Sequence, residues 1–131
     1  DRLTVNGTSD MRDIVSGDIY ADDIQCTQIY SSRAGEWWSD RRMKSDINPI
    51  SPDVALTVTM ALKPMTFYMV GADEKDMGLA QDVADIESDL PLYTMLNGFY
   101  ALPYTSYVAL LAGAIQAQQE QINKIREVLN A

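Results

Sequence analysis

The stretch Trp37-Trp38-Ser39-Asp40-Arg41-Arg42-Met43-Lys44-Ser45-Asp46-Ile47 brings together side chains that can do chemistry. Ser39 and Lys44 lie five residues apart, and an amine that has lost its proton can take the proton of a serine hydroxyl and turn it into a nucleophile. The chain of 131 residues contains no histidine. That closes every mechanism built on an imidazole base or ligand, from the Ser-His-Asp triad to nearly all catalytic zinc sites. A general base must then be Lys, Asp, Glu or Tyr, and a serine–lysine dyad is the nucleophile and base at hand. Serine and lysine at this spacing also occur as plain surface residues, so the spacing alone leaves both readings open.

The elements that must position these groups follow downstream. Ser51-Pro52-Asp53 opens an amphipathic helix over 54–62, with serine at the N-cap and proline at the first helical position, and Lys63-Pro64 ends it. The pattern predicts a strand over 65–70, a charged turn over 71–76, and a second short strand or the start of a helix over 78–83. Residues 73–89 are crowded with acids, which read as a solvated face; a calcium loop is the weaker alternative because the acids lack its spacing. The last element is a helix in which Val108, Leu111, Ile115, Gln118, Ile122, Ile125 and Leu129 follow alternate steps of three and four. This is a heptad seam with one polar position, and isoleucine at both kinds of core position favours three or four strands over two. Gln118 inside such a seam can fix register, and Glu120 and Lys124, one turn apart, form an outer-face pair. Packing of the seam against its own domain is the competing reading.

Upstream, residues 1–36 are rich in Asp, Ser, Thr and Gly and read as short strands and turns. Ile14, Ile19, Ile24 and Ile29 recur every five residues, the first three each preceded by aspartate. An odd step sends successive isoleucines to opposite faces of one strand, so a turn in each unit is needed to return them to one side. A stalk in which several chains wrap together fits better than a solenoid of only four units. Ser31-Ser32-Arg33-Ala34-Gly35 reads as a linker. Trp37 and Trp38 read as aromatics packed at the junction between stalk and domain. The fold expected is α+β: a β-rich trimeric stalk over 1–38, then a small mixed domain over 39–131 that ends in a long coiled-coil-like helix.

From Ser39 onward the chain resembles the intramolecular chaperone auto-processing domain at the C-terminus of phage endosialidases, tail fibres and pre-neck appendage proteins. The S-D-x-R-x-K-x-D-I pattern of that family matches Ser39, Asp40, Arg42, Lys44, Asp46 and Ile47, with Ile50 following. Its G-x-A-Q-x-V element matches Gly78, Ala80, Gln81 and Val83. The pattern that opens its last helix matches Tyr104, Tyr107, Val108, Ala109, Leu110, Leu111, Ala114, Ile115 and Gln116. The resemblance implies a homotrimer that drives assembly of the β-structure upstream in the same polypeptide and then cuts itself off at the bond between Trp38 and Ser39. In that scheme Ser39 is the nucleophile and Lys44 the base. Arg42 either stabilises the oxyanion or orients the loop, and Asp40 and Asp46 hold the cations or merely pair with them at the surface. Many family members carry an acid after the S-D pair; this chain has Arg41, which sets two cations beside Lys44.

Charge and composition narrow the field further. The net charge of −9, from 10 Lys and Arg against 19 Asp and Glu, repels phosphate backbones and anionic lipid, so neither nucleic acid nor membrane is expected as a partner. A single cysteine, Cys26, cannot close an internal disulfide. No run approaches a membrane span, Asp1-Arg2 does not begin a signal peptide, and the chain reads as a fragment of something longer. No cofactor or metal is expected. The sequence offers no phosphate loop, metal-ligand cluster or paired catalytic carboxylates for an enzyme acting on an outside substrate. The competing function is a non-cleaving trimerisation tip of a tail fibre. A membrane-bound transcription factor with a similar domain fits poorly with the acidic stalk. The location expected is a phage tail or appendage, made in the host cytoplasm.

Overall fold

The computed structural model describes residues 39–131. The chain divides into two units, Asp1–Glu36 and Trp37–Ala131. The isoleucine repeat, the linker over 31–35, Cys26, Trp37 and Trp38 lie outside the described residues.

A 3-10 turn at Arg41–Met43 leads to helix α1 (Pro52–Ala61). Strands β1 (Met65–Phe67) and β2 (Asp76–Gly78) form one antiparallel hairpin, with Met65 opposite Gly78 and Phe67 opposite Asp76. After a second 3-10 turn, Gln81–Asp85, strands β3 (Thr94–Leu96) and β4 (Phe99–Ala101) form another, and helix α2 (Tyr104–Leu129) closes the domain. The architecture is α+β, as the sequence patterning predicts.

Local chemistry sets each boundary. Helix α1 starts at Pro52, whose ring presets the helical φ and whose missing N–H costs nothing at the first position. Ser51 occupies the N-cap, yet its side chain makes no capping bond; its carbonyl accepts the Ala55 N–H at 2.9 Å. Pro64 disfavours helical geometry at Lys63, and the helix has stopped before it. The β3–β4 hairpin turns on Asn97 and Gly98, both at positive φ (51° and 81°), the pair of left-handed residues that a two-residue turn matched to strand twist requires. The sequence pattern predicts a strand over 65–70, a charged turn over 71–76 and a second short strand or the start of a helix over 78–83; instead β1 stops at Phe67, the second strand is Asp76–Gly78, and residues 81–85 form a 3-10 turn. The residue after Gly78 is held by the Tyr104 hydroxyl, which donates to the Leu79 carbonyl (3.2 Å) and accepts the Leu79 N–H (3.0 Å).

The core lies between the helices. Ala55 and Val58 of α1 pack with Leu92, Tyr107 and Leu110, and Leu62, Leu79, Ile86, Leu90 and Leu102 close round them. A Cβ at Gly113 would stand 2.8 Å from the Ala55 Cβ, so the helices meet at a point that only glycine permits. The Tyr107 hydroxyl donates to the Leu92 carbonyl at 2.7 Å, tying the segment before β3 to α2. Burial pushes that hydroxyl's pKa up, and neighbouring Tyr104 adds to the shift.

Helix α2 has two apolar faces. One, formed by Tyr107, Leu110, Gly113, Ala114 and Ala117, is buried against the domain. The other carries the heptad seam, and Val108, Leu111, Ile115, Ile122, Ile125 and Leu129 are all exposed in the single chain. The Glu120 and Lys124 pair is formed at 3.0 Å. Among the described residues no helix is long and apolar enough to cross a membrane.

Candidate functional site

The site begins with a turn. The Asp40 carbonyl accepts the Met43 N–H and the Arg41 carbonyl accepts the Lys44 N–H, both at 3.1 Å, so the backbone reverses over 41–43. The reversal brings the Lys44 ammonium back over the turn, where Nζ donates to the Ser39 Oγ at 2.7 Å. The two groups singled out by spacing are therefore in direct contact. Both residues are exposed in the single chain, and Nζ is the donor in this contact. For the pair to act as nucleophile and base, the amine must instead present its lone pair to the Oγ–H.

Asp40 grips Arg42 at three points. Oδ1 accepts the Arg42 backbone N–H at 2.8 Å and Nε at 3.0 Å, and Oδ2 accepts Nη2 at 2.8 Å. The first bond caps the 3-10 turn, and the other two make a forked ion pair. The Arg42 guanidinium holds the Asp40 carboxyl below the usual carboxylate range; the Arg42 backbone N–H adds to this, and the charge of Lys44 contributes less. The same pairing raises the arginine in turn. Asp46 behaves differently. It takes a left-handed backbone (φ 50°) and its carbonyl accepts the Asn48 side-chain amide at 2.9 Å, while no ion pair joins it to Lys44. Of the two acids in the motif, only Asp40 pairs with a motif cation.

Two further sequence motifs meet in space. A Cβ at Gly78 would stand 2.5 Å from the Tyr104 hydroxyl, so glycine clears the space in which that hydroxyl bonds Leu79. Sequence reasoning placed Gly78 and Tyr104 in separate motifs and missed their contact. Residues spaced 26 apart carry no periodic signal that would join them. Beside them, Leu62, Met65, Met77 and Leu79 line an apolar groove of about 630 Å³ whose other wall includes Val108 and Leu111, the first two seam residues. In the acidic stretch, and throughout the described residues, no three Asp, Glu, Cys or His side chains converge where a metal ion could be held.

Residues 39–93 match the family model described as the chaperone of endosialidase, which carries the name of a peptidase family. The match begins at Ser39 itself and takes in the dyad, α1, the first hairpin and the Gly78 motif; the Tyr104 motif lies beyond it. No curated protein and no solved structure matches the chain. With the S-D-x-R-x-K-x-D-I pattern in place and its serine and lysine in contact, the segment 39–93 is similar to the chaperone-of-endosialidase family.

Proposed function

We propose that residues 39–131 form a C-terminal intramolecular chaperone that trimerises, assists folding of the fibre or appendage upstream in the same polypeptide, and then releases itself by cutting the bond between Trp38 and Ser39. The observation that carries this reading is the 2.7 Å contact between Lys44 Nζ and Ser39 Oγ in a chain without histidine. The amine takes the hydroxyl proton, and Oγ attacks the carbonyl of the preceding residue. The peptide nitrogen takes that proton from the Lys44 ammonium and leaves as the new amino terminus of Ser39, and water then resolves the ester. Because nucleophile and carbonyl belong to adjacent residues, the step gains the effective concentration of an intramolecular reaction. Arg42 and Asp40 support the site. The exposed seam on α2 supports assembly, since six large apolar side chains on one face are left largely uncovered by the described residues. The protein is then part of a phage tail or appendage made in the host cytoplasm.

One observation favours a second reading, a trimerisation tip that stays attached: both dyad groups are open to solvent in the single chain. Intact mass separates the two. Self-processing yields fragments 1–38 and 39–131 from the wild-type chain and none from Ser39→Ala, whereas a tip that stays attached remains whole in both.

A further inference from the structure

We infer that Asp40 is the positioning residue of the dyad: its carboxylate locks the 3-10 turn through Arg42, and the arginine serves as a strut of that lock and not as an oxyanion donor. The inference rests on the self-processing reading. Residues 39–44 in an extended chain would span about 17 Å, far from the closed geometry in which Lys44 Nζ touches Ser39 Oγ. Closure depends on the reversal over Arg41–Met43, and Asp40 holds that reversal from its N-terminal side with both its main chain and its side chain. Its main-chain carbonyl takes the Met43 N–H, and its side chain takes the Arg42 N–H.

The forked pair completes the lock. Nε and Nη2, one edge of the guanidinium, are both spent on Asp40. An oxyanion donor has to aim its N–H groups at the carbonyl oxygen before Ser39. Arg42 folds back on the residue two positions earlier with that edge engaged, and its side chain stays 89% exposed. Lys44 follows immediately after the turn, with its own N–H bonded to the Arg41 carbonyl, so any loosening of the turn moves the base directly. Displacement of a reacting group by about 1 Å costs a rate on the order of 100-fold.

The test measures the first-order rate of cleavage in the full chain made by cell-free translation with a labelled amino acid, for wild type, Asp40→Ala, Asp40→Asn, Arg42→Ala and the double variant Asp40→Ala with Arg42→Ala. Positioning predicts a loss of about 10- to 100-fold in Asp40→Ala. Asp40→Asn recovers most of it, because the amide oxygen still accepts the Arg42 N–H and caps the turn. The double variant is no slower than Asp40→Ala, because both substitutions open the same lock. Helicity of each purified variant checks that the domain is folded, and Asp40 at the exposed edge of the domain touches none of the core. Wild-type speed in Asp40→Ala, an Asp40→Asn chain as slow as Asp40→Ala, or losses that multiply in the double variant each overturn the inference while leaving self-processing intact. A wild-type chain that stays whole overturns the self-processing reading and this inference with it.

Discussion

Replacing Ile115 and Ile122 by aspartate tests whether the seam on α2 is an interface between copies of the chain. In the single chain the two isoleucines are 64% and 43% exposed, and neither belongs to the buried face that meets α1. Full burial of an isoleucine is worth about 1.5–3 kcal/mol. Scaled by the exposed fractions, closing a trimer over this pair contributes about 2.5 kcal/mol per chain and about 7 kcal/mol per trimer. At about 1.4 kcal/mol per decade, losing that burial lowers the trimer association constant by about five orders of magnitude, before the cost of burying six carboxylates is counted. Sedimentation velocity at micromolar concentration should find wild type as a trimer and the double variant as a monomer. Circular dichroism should find the fold of each chain kept, because Ala55, Tyr107 and Leu110 are untouched. A monomeric wild type, or a double variant that remains trimeric, refutes the reasoning.

Other outcomes follow from the same geometry. Ser39→Ala should abolish cleavage, and Lys44→Ala should slow it by about 100- to 10,000-fold, the usual worth of a general base; Lys44→Arg should give no rescue because a guanidinium keeps its proton. Mass spectrometry of the products decides, and a fragment beginning at residue 39 in Ser39→Ala would remove the nucleophile assignment. Gly78→Ala drives a methyl group into the Tyr104 hydroxyl and should cost about 1–3 kcal/mol in urea unfolding, part of which Tyr104→Phe in the same chain should return; strictly additive losses would mean the two do not meet. The Asp40 carboxyl is depressed when folded, so its contribution is complete above the unfolded carboxylate range and is lost as pH falls through the lowered value. A carbon-13 titration of that carboxyl should find its midpoint below the ordinary 3.8, and a midpoint above it would contradict the grip on Arg42.

The sequence made the dyad legible because Ser39 and Lys44 are close along the chain and a single turn suffices to join them. Helix α1 was legible because proline acts locally at both of its ends. The second hairpin is hard to read although Asn97-Gly98 is its signal, since Leu96, Phe99 and Tyr100 on either side do not alternate with polar residues. The heptad seam stood out through its large aliphatics. The inner face of α2 did not, because its closest contact is made by Gly113, Ala114 and Ala117, residues whose value is their smallness and which add little to an apolar stripe. The latch from Tyr104 to Leu79 joins backbone groups to a side chain 25 residues away, and no local pattern encodes it.

On the self-processing reading, the exposure of the dyad has a physical consequence. A protease that meets a free substrate must carry its own dry cleft, but a hydroxyl that attacks the carbonyl beside it needs only alignment, a base and the exclusion of competing water. Alignment of Ser39 with Lys44 is local: residues 40–44 supply it within one turn. Neither of the two groups is shielded from water by the described residues of its own chain. On that reading, shielding comes from surfaces beyond the described residues, such as neighbouring copies gathered by the α2 seam. If cleavage waits for assembly, an isolated chain should stay whole, and cleavage should begin only once trimers have formed. That is the order of events a chaperone needs if it is to leave only after its product is built.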